Sequence, residues 1–394
     1  MRIANPVPER AFIRLSLFHC TAIAFFLFAV ALHYDPASGF TRFIYFGDHF
    51  TSTRLPEVTR TDPFVFHDSD GYDGQFYAQI ATSPLLANPG LDRALDSPAY
   101  RSRRIGLPAF AWLAGLGHTR WILQAYALAN VLAWLALAVL LLRWIPTSTT
   151  TARLAWLGCL FGVGVMMSVE RALTDLPAAL LLVIALHFAE RQRRGSAGVA
   201  FSLALLTRDA SMLGGGLLLP ADRADRRQWL RAAGVGALAA LPLVFWSIHV
   251  HRRFPGLPNG DAGIFALPFS ALLGKLQAIW HAIPQQGWIR STVQLLSITG
   301  LCVQFLLLLA LARSAWRQRW WRVGAAFALL FAVLGPLVWE DYTAAARTVI
   351  PMTLAFNVLL LRDRWWSFPV CLVGNLPLLH GVVYLLRPSW PSLP

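Results

Sequence analysis

Residues 121–143 read WILQAYALANVLAWLALAVLLLR, an uncharged run of 22 residues closed by Arg143. At 1.5 Å per residue, a helix of that length reaches about 33 Å, enough to cross the hydrocarbon core of a bilayer. Similar apolar runs lie on either side, at 15–33, 154–170, 175–190, 229–249, 291–312, 321–338, 347–361 and 366–386. Two shorter runs, 197–206 and 211–219, flank the polar Thr207-Arg208-Asp209 and read as a hairpin of two half-length helices or as two short spans. Polar backbone at that depth has to be buried in protein or line a wet cavity. The expected fold is therefore all-α, a polytopic transmembrane helical bundle of about eleven spans, counting the hairpin as two.

The composition agrees. Of the 394 residues, 56% are hydrophobic and 14% charged. Soluble domains carry roughly 25% charged residues, so a soluble multidomain chain is excluded for want of polar surface. The 34 bases against 20 acids give a net charge of +14, with Lys275 as the single lysine. A basic balance can signal nucleic acid. Here the arginines sit in short clusters between apolar runs, which is the membrane pattern, and no nucleic-acid partner is expected. Cys20, Cys159, Cys302 and Cys371 lie in apolar stretches without CxxC spacing, so neither disulfides nor a zinc site is expected. The first run, Leu15 to Leu32, is longer than a signal-peptide core and reads as an uncleaved anchor.

Orientation follows from charge. With the N-terminus in the cytoplasm, the inner segments 1–14, 143–153, 190–196, 220–231, 313–322 and 362–364 hold 18 arginines and 5 acids. The remainder holds 16 bases and 15 acids, so the positive-inside rule favours this placement. The whole of 1–394 then reads as one transmembrane domain. Its large outer segments are a first loop, 34–120, and a second, 250–290, rich in Pro and Gly. Within the first loop, Ile105 to Gly117 is apolar but short, and is expected to lie along the interface. Trp112, Trp121, Trp144, Trp320, Trp321, Trp365 and Trp366 fall near span boundaries and read as an aromatic belt. Gly158 and Gly162 read as a helix-packing GxxxG.

The densest polar cluster is Asp68-Ser69-Asp70-Gly71-Tyr72-Asp73-Gly74-Gln75-Phe76-Tyr77, continuing Ala78-Gln79-Ile80-Ala81. The glycines allow a turn, and a helix is expected from Asp73, with Asp73 at or near its N-cap. Tyr77 and Ile80-Ala81 would share the face of Asp73. A carboxylate beside a membrane surface and an apolar wall suits a general base. The plainer reading of three aspartates is a solvated turn.

These residues resemble a family. The stretch from Asp73 to Ala81 is similar to the D-E-x-x-Y-x-x-I-A of the first outer loop of GT-C glycosyltransferases, as carried by protein O-mannosyltransferases and lipid A aminoarabinose transferases. Arg104-Ile105-Gly106-Leu107-Pro108 resembles the H-P-P-L-Y-P of that loop, Thr174-Asp175-Leu176-Pro177 the L-D-M-P, Leu206-Thr207-Arg208 the L-T-K, and Arg347-Thr348-Val349-Ile350-Pro351 the R-Y-x-x-P of a late span. The matches run in family order from about 70 to 351, and Gly74 departs where the family often has Glu.

The resemblance implies a GT-C-like transferase using a polyprenyl-phosphate-linked sugar. The sugar would pass, with inversion, to a glycan, lipid or protein acceptor at the periplasmic face of a bacterial inner membrane. Asp73 and Asp175 are then the catalytic candidates, with Asp73 taking the acceptor's proton. Arg103, Arg104, Arg208 and Arg347 would meet the lipid phosphate, because guanidinium forks match its geometry. Asp70, Gln75 and Tyr77 join them as binding candidates. Glu170, Glu340 and Asp341 are candidates for the acceptor side. Asp73 and Asp175 are also where a divalent ion, Mg, Mn or Ca, would be held if one is used; no cofactor is certain.

Each candidate has a plainer alternative. Arg208 and Asp209 can be a local ion pair capping the hairpin, and Glu340-Asp341 a solvated loop. His249 and His251, two apart, do not face one another on a helix. The competing function is a lipid-linked-sugar flippase, which would show related halves and interrupted spans near the midplane. Convergence of Asp73, Asp175 and Arg208 beside an outer cavity would favour the transferase.

Overall fold

The computed structural model describes residues 15–220, 225–257, 263–361 and 367–386. The expected inner segment 1–14, the basic 362–364 and Trp365-Trp366 lie outside them. The architecture is an all-α polytopic membrane bundle. The long hydrophobic runs become helices because, in hydrocarbon, each backbone N–H and C=O needs a partner within its own segment.

Helix α1 spans Leu17–Ala31, and the first loop follows. That loop contains a two-stranded parallel ladder, β1 (Phe46–Gly47) with β2 (Val65–Phe66), then α2 (Asp73–Thr82) and α3 (Gly106–Ala114). Next come α4 (Thr119–Leu141), α5 (Thr150–Phe161), α6 (Val163–Glu170), α7 (Asp175–Glu190) and α8 (Arg194–Thr207). A 3-10 stretch, Asp209–Leu218, returns from the tip of α8. The chain continues with α9 (Arg226–Arg253), α10 (Ser270–Gln286), α11 (Trp288–Ala310) and α12 (Arg319–Val333). It closes with α13 (Tyr342–Thr348), α14 (Ile350–Leu360), α15 (Ser367–Gly374) and α16 (Pro377–Leu385).

Among the described residues, four helical segments are long and apolar enough to cross a membrane: α4, α5 with α6, α9 and α11. The pairs α13–α14 and α15–α16, bent by 61° and 44°, raise the number to six. The expected eleven is not reached on that measure. Helices α1, α7 and α12 have 15, 16 and 15 residues. At 1.5 Å per residue they are about 22–24 Å long, short of a 30 Å core.

The 207–209 hairpin forms as expected, with one arm in 3-10 geometry. Leu218 and Pro220, at its return, line a cavity of about 210 Å³ with Arg194 and Ala197, at the start of α8. The two arms therefore leave and return at one level. The second outer segment differs from expectation, because it contains the 17-residue helix α10. Its Pro284, the Gly287 corner and the charge of Lys275 hide an amphipathic helix from a hydropathy reading.

The core is aromatic on one side. Phe26 stacks on Trp134 at 3.8 Å, and Trp134 and Trp156 donate to the carbonyls of Leu160 and Ala138 at 2.8 and 3.0 Å. Trp320 is buried against Trp144, which donates to Glu190, so these two tryptophans pack the interior instead of forming a belt. Trp112 and Trp121 are exposed, as expected of a belt. Gly158 brings α5 against the Asn375 side chain, where a Cβ would collide.

Candidate active site

Three distant stretches of chain are fixed locally before they meet. The first is the start of α2. The Asp48 carboxylate accepts from the Asp68 and Ser69 amides at 3.0 and 3.1 Å, and Tyr72 N donates to Tyr45 O at 3.0 Å. Gly71, at φ 69°, turns the chain into the helix, whose N-cap is Tyr72. Gln75 accepts from Gly47 N at 3.2 Å and donates to Asp70 O at 2.7 Å. Gln79 accepts from Leu55 N at 2.9 Å and donates to Ala94 O at 3.2 Å. Two buried glutamines thus stitch α2 to the loop around it.

The second stretch is the α6–α7 corner. Asn130 donates to Leu173 O at 2.9 Å and accepts from Ser168 Oγ at 3.0 Å. Ser168 Oγ in turn accepts from Leu176 N at 3.0 Å. This network places Asp175 at the first position of α7, with its side chain 1% exposed. The third is α13, capped by Asp341, which accepts from Thr343 N and Oγ1 at 3.0 and 2.6 Å. One turn on, the helix presents Arg347.

Arg347 joins the other two. Its Nη2 donates to Asp73 Oδ2 at 3.0 Å and its Nη1 to Asp175 Oδ2 at 3.1 Å. Arg208, at the hairpin tip, pairs with Asp175 Oδ1 and donates to Thr348 Oγ1 at 3.1 Å. Arg101 lies 2.9 Å from Asp73 Oδ1 and donates two N–H groups to Asp96, at 2.9 and 2.7 Å. Beside these, Arg104 donates to Tyr77 Oη and Tyr100 Oη, each at 2.6 Å. Arg103 and Arg104 face Asp209 at 3.4 and 3.5 Å. So Arg208 and Asp209 do not pair with each other: each reaches a different segment.

Five arginines thus meet four aspartates in a largely buried cluster, leaving a positive excess. The Nε groups of Arg103, Arg208 and Arg347 are buried and lack a hydrogen-bond partner among the described residues. Buried donors without acceptors are costly, which suits a site that receives an anion. Burial alone would push the Asp73 carboxyl up. The charges of Arg101 and Arg347, the Arg101 hydrogen bond and the charge of Arg104 outweigh it and hold Asp73 well below the usual carboxylate range.

Asp73, Asp175, Arg103, Arg104, Arg208, Arg347 and Tyr77 therefore come together. Asp70 and Gln75 do not. Asp70 is exposed and pairs with His49 at 2.8 Å, while Gln75 is used up in the loop scaffold. Glu170 and Asp341 line a separate cavity of about 790 Å³ with Arg42, Arg171, Tyr342 and His380. Glu340 is exposed, and its carbonyl accepts from Lys275 at 2.8 Å. Tyr72 stands between cavity and cluster, its ring 5.5 Å from the Arg171 guanidinium and 5.6 Å from that of Arg347. Burial pushes the Tyr72 phenol up, so this partition is neutral.

Arg101, Asp96 and Tyr100 were not among the expected site residues. Arg101 shares the 101–104 cluster with Arg103 and Arg104. Only the one-turn helix Pro98–Ser102 reveals that it faces Asp73.

No three His, Cys, Asp or Glu side chains among the described residues form a metal site. Asp73 and Asp175, expected to hold any divalent ion, face three guanidiniums instead. Those charges repel a cation, so this donor set does not fit one, and no step is derived through it.

No family model and no curated protein matches the chain. Among solved structures it is similar to ArnT from Cupriavidus metallidurans bound to undecaprenyl phosphate, at 15% identity and a TM-score of 0.48, over 90% of this chain and 62% of that one. The apo form of that protein gives 16% identity and a TM-score of 0.47 over the same shares. The chain spans less than two thirds of that protein's length. A likeness at this level says nothing of activity, so the geometry of the cluster has to carry the functional reading.

Proposed function

We propose that the chain is a GT-C-like integral membrane glycosyltransferase. It moves a sugar from a polyprenyl-phosphate donor to an acceptor hydroxyl of a cell-envelope glycan, lipid or protein, with inversion. It sits in a bacterial inner membrane with its N-terminus cytoplasmic and the cluster periplasmic. A count of eleven would need, beside the four long spans and the two bent pairs, the three helices of 15–16 residues and both arms of the 207–209 hairpin.

The observation that carries the reading is the bridge of Arg347 between Asp73 and Asp175, joined by Arg208. A buried, net-positive cluster with unpartnered guanidinium N–H groups suits a phosphate that gains charge as it leaves. The acceptor oxygen bonds to C1 of the sugar, and its proton passes to Asp73. The C1–O bond breaks, and its electron pair stays on the phosphate. Arg208, Arg347, Arg103 and Arg104 stabilise that charge, while Asp175 holds Arg208 and Arg347 in position. The cavity beyond Tyr72 offers the acceptor its space. Convergence at one end of the bundle supports chemistry over passage of a lipid through it.

The test is a transfer assay on the full chain in lipid nanodiscs, with a panel of polyprenyl-phosphate sugars and an envelope extract. Release of polyprenyl phosphate is expected, and Asp73→Asn should lower it about 10²–10⁴-fold, the range for loss of a general base. Full transfer by Asp73→Asn, or release from no donor, contradicts the proposal.

A further inference from the structure

Both oxygens of Asp73 are covered by guanidiniums, which is a poor arrangement for taking a proton. Arg101 lies on Oδ1 and Arg347 on Oδ2. The two are held differently. Arg101 is gripped by both oxygens of Asp96 and lies over the rings of Phe76, Tyr77 and Tyr100. Arg347 reaches Asp73 through one nitrogen and Asp175 through the other, and its buried Nε has no hydrogen-bond partner among the described residues. It can let go of Asp73 while staying anchored to Asp175.

We infer that Arg347 is an exchange residue: when the donor's phosphate enters, Arg347 passes from Asp73 to the phosphate and uncovers Asp73 Oδ2 for the acceptor hydroxyl. This rests on the transferase reading and adds the coupling between its two halves. Charge bookkeeping gives the direction. As the acceptor O–C1 bond forms, the hydroxyl proton goes to Asp73, which becomes neutral. As C1–O breaks, its electron pair takes the phosphate from a singly charged diester toward a doubly charged monoester. Attraction scales with the product of the charges, so the guanidinium follows the charge from carboxylate to phosphate. Its fork suits phosphate at least as well as carboxylate. Without donor, Asp73 stays covered.

The exchange can be read without turnover, from the affinity of the full chain in nanodiscs for polyprenyl phosphate. In wild type, binding must pull Arg347 off a carboxylate. Asp73→Asn removes that competitor and is expected to tighten binding about tenfold, a coupling within the range measured between contacting residues. In an Arg347→Gln background the same substitution is expected to give less than about a twofold gain. Asp209→Asn removes an equal charge from an acid that Arg347 does not touch, and should gain clearly less than Asp73→Asn. A gain that persists without Arg347, or no gain at all, overturns the exchange and leaves the transferase reading standing. Failure of wild type to bind polyprenyl phosphate overturns both. Should Arg347→Gln fail to fold, Arg347→Lys takes its place, keeping the charge but not the two-pronged reach. The gain should then shrink to about threefold, and a full tenfold gain in that background overturns the exchange.

Discussion

At Asp73 two effects oppose each other. Burial favours the neutral acid, while Arg101, Arg347 and Arg104 favour the anion and prevail. A carboxyl held below its ordinary value of about 3.9 adds stability that is complete above that value and is lost as pH falls through the lower, folded one. In kcat/KM, which reports the donor-free enzyme, Asp73 should therefore give no acid limb between about pH 5 and 7. A limb in that window that disappears in Asp73→Glu or moves in Asp96→Asn would contradict this assignment. Asp73 and Tyr77 were singled out by the stretch 73–81 and Arg347 by the separate stretch 347–351, and the structure brings the three into one cluster. Asp70 and Gln75 sit in the same polar cluster, yet serve the loop: one is exposed beside His49 and the other is bonded to backbone on both sides.

Helix α2 owes its position to a residue with no side chain. A Cβ at Gly74 would press on the backbone carbonyls of Arg171 and Ile44. This explains the departure from the Glu that the resemblance leads one to expect there: neither carbonyl can yield like the end of a flexible side chain. Gly74→Ala should cost about 1–3 kcal/mol or more in stability, as overpacking of a tight contact does, with a lower thermal midpoint in detergent. Gly74→Glu should be worse. An unchanged midpoint for Gly74→Ala would show that the approach is looser than drawn. The elements that escaped the sequence reading share a cause. Helix α10 is amphipathic, and the ladder of β1 and β2 has two residues per strand, so neither produces a long periodic signal.

Across the whole molecule, the arginine asymmetry predicts which end faces which compartment. His67 is exposed in the first loop, and Ser196 is exposed in the first turn of α8, at the opposite end. In a background lacking Cys20, His67→Cys should react with a membrane-impermeant maleimide from the periplasmic side, and Ser196→Cys only in inverted vesicles. The reverse pattern would invert the proposed topology and place the cluster in the cytoplasm.

The helical, membrane-embedded character of the chain was determined by the sequence alone. Hydropathy and backbone hydrogen bonding in lipid leave few alternatives for uncharged runs as long as 121–142. The hairpin around Arg208 and the helix start at Asp73 were local as well, set by charge between apolar runs and by turn glycines. Only the tertiary structure decided the partners. Arg347 is 274 residues from Asp73 and 172 from Asp175, and which acid each arginine meets depends on how α2, α7, the hairpin tip and α13 converge. An ion pair has no period and no local signature. It is selected by packing, because a buried charge that fails to find a partner is too costly to keep.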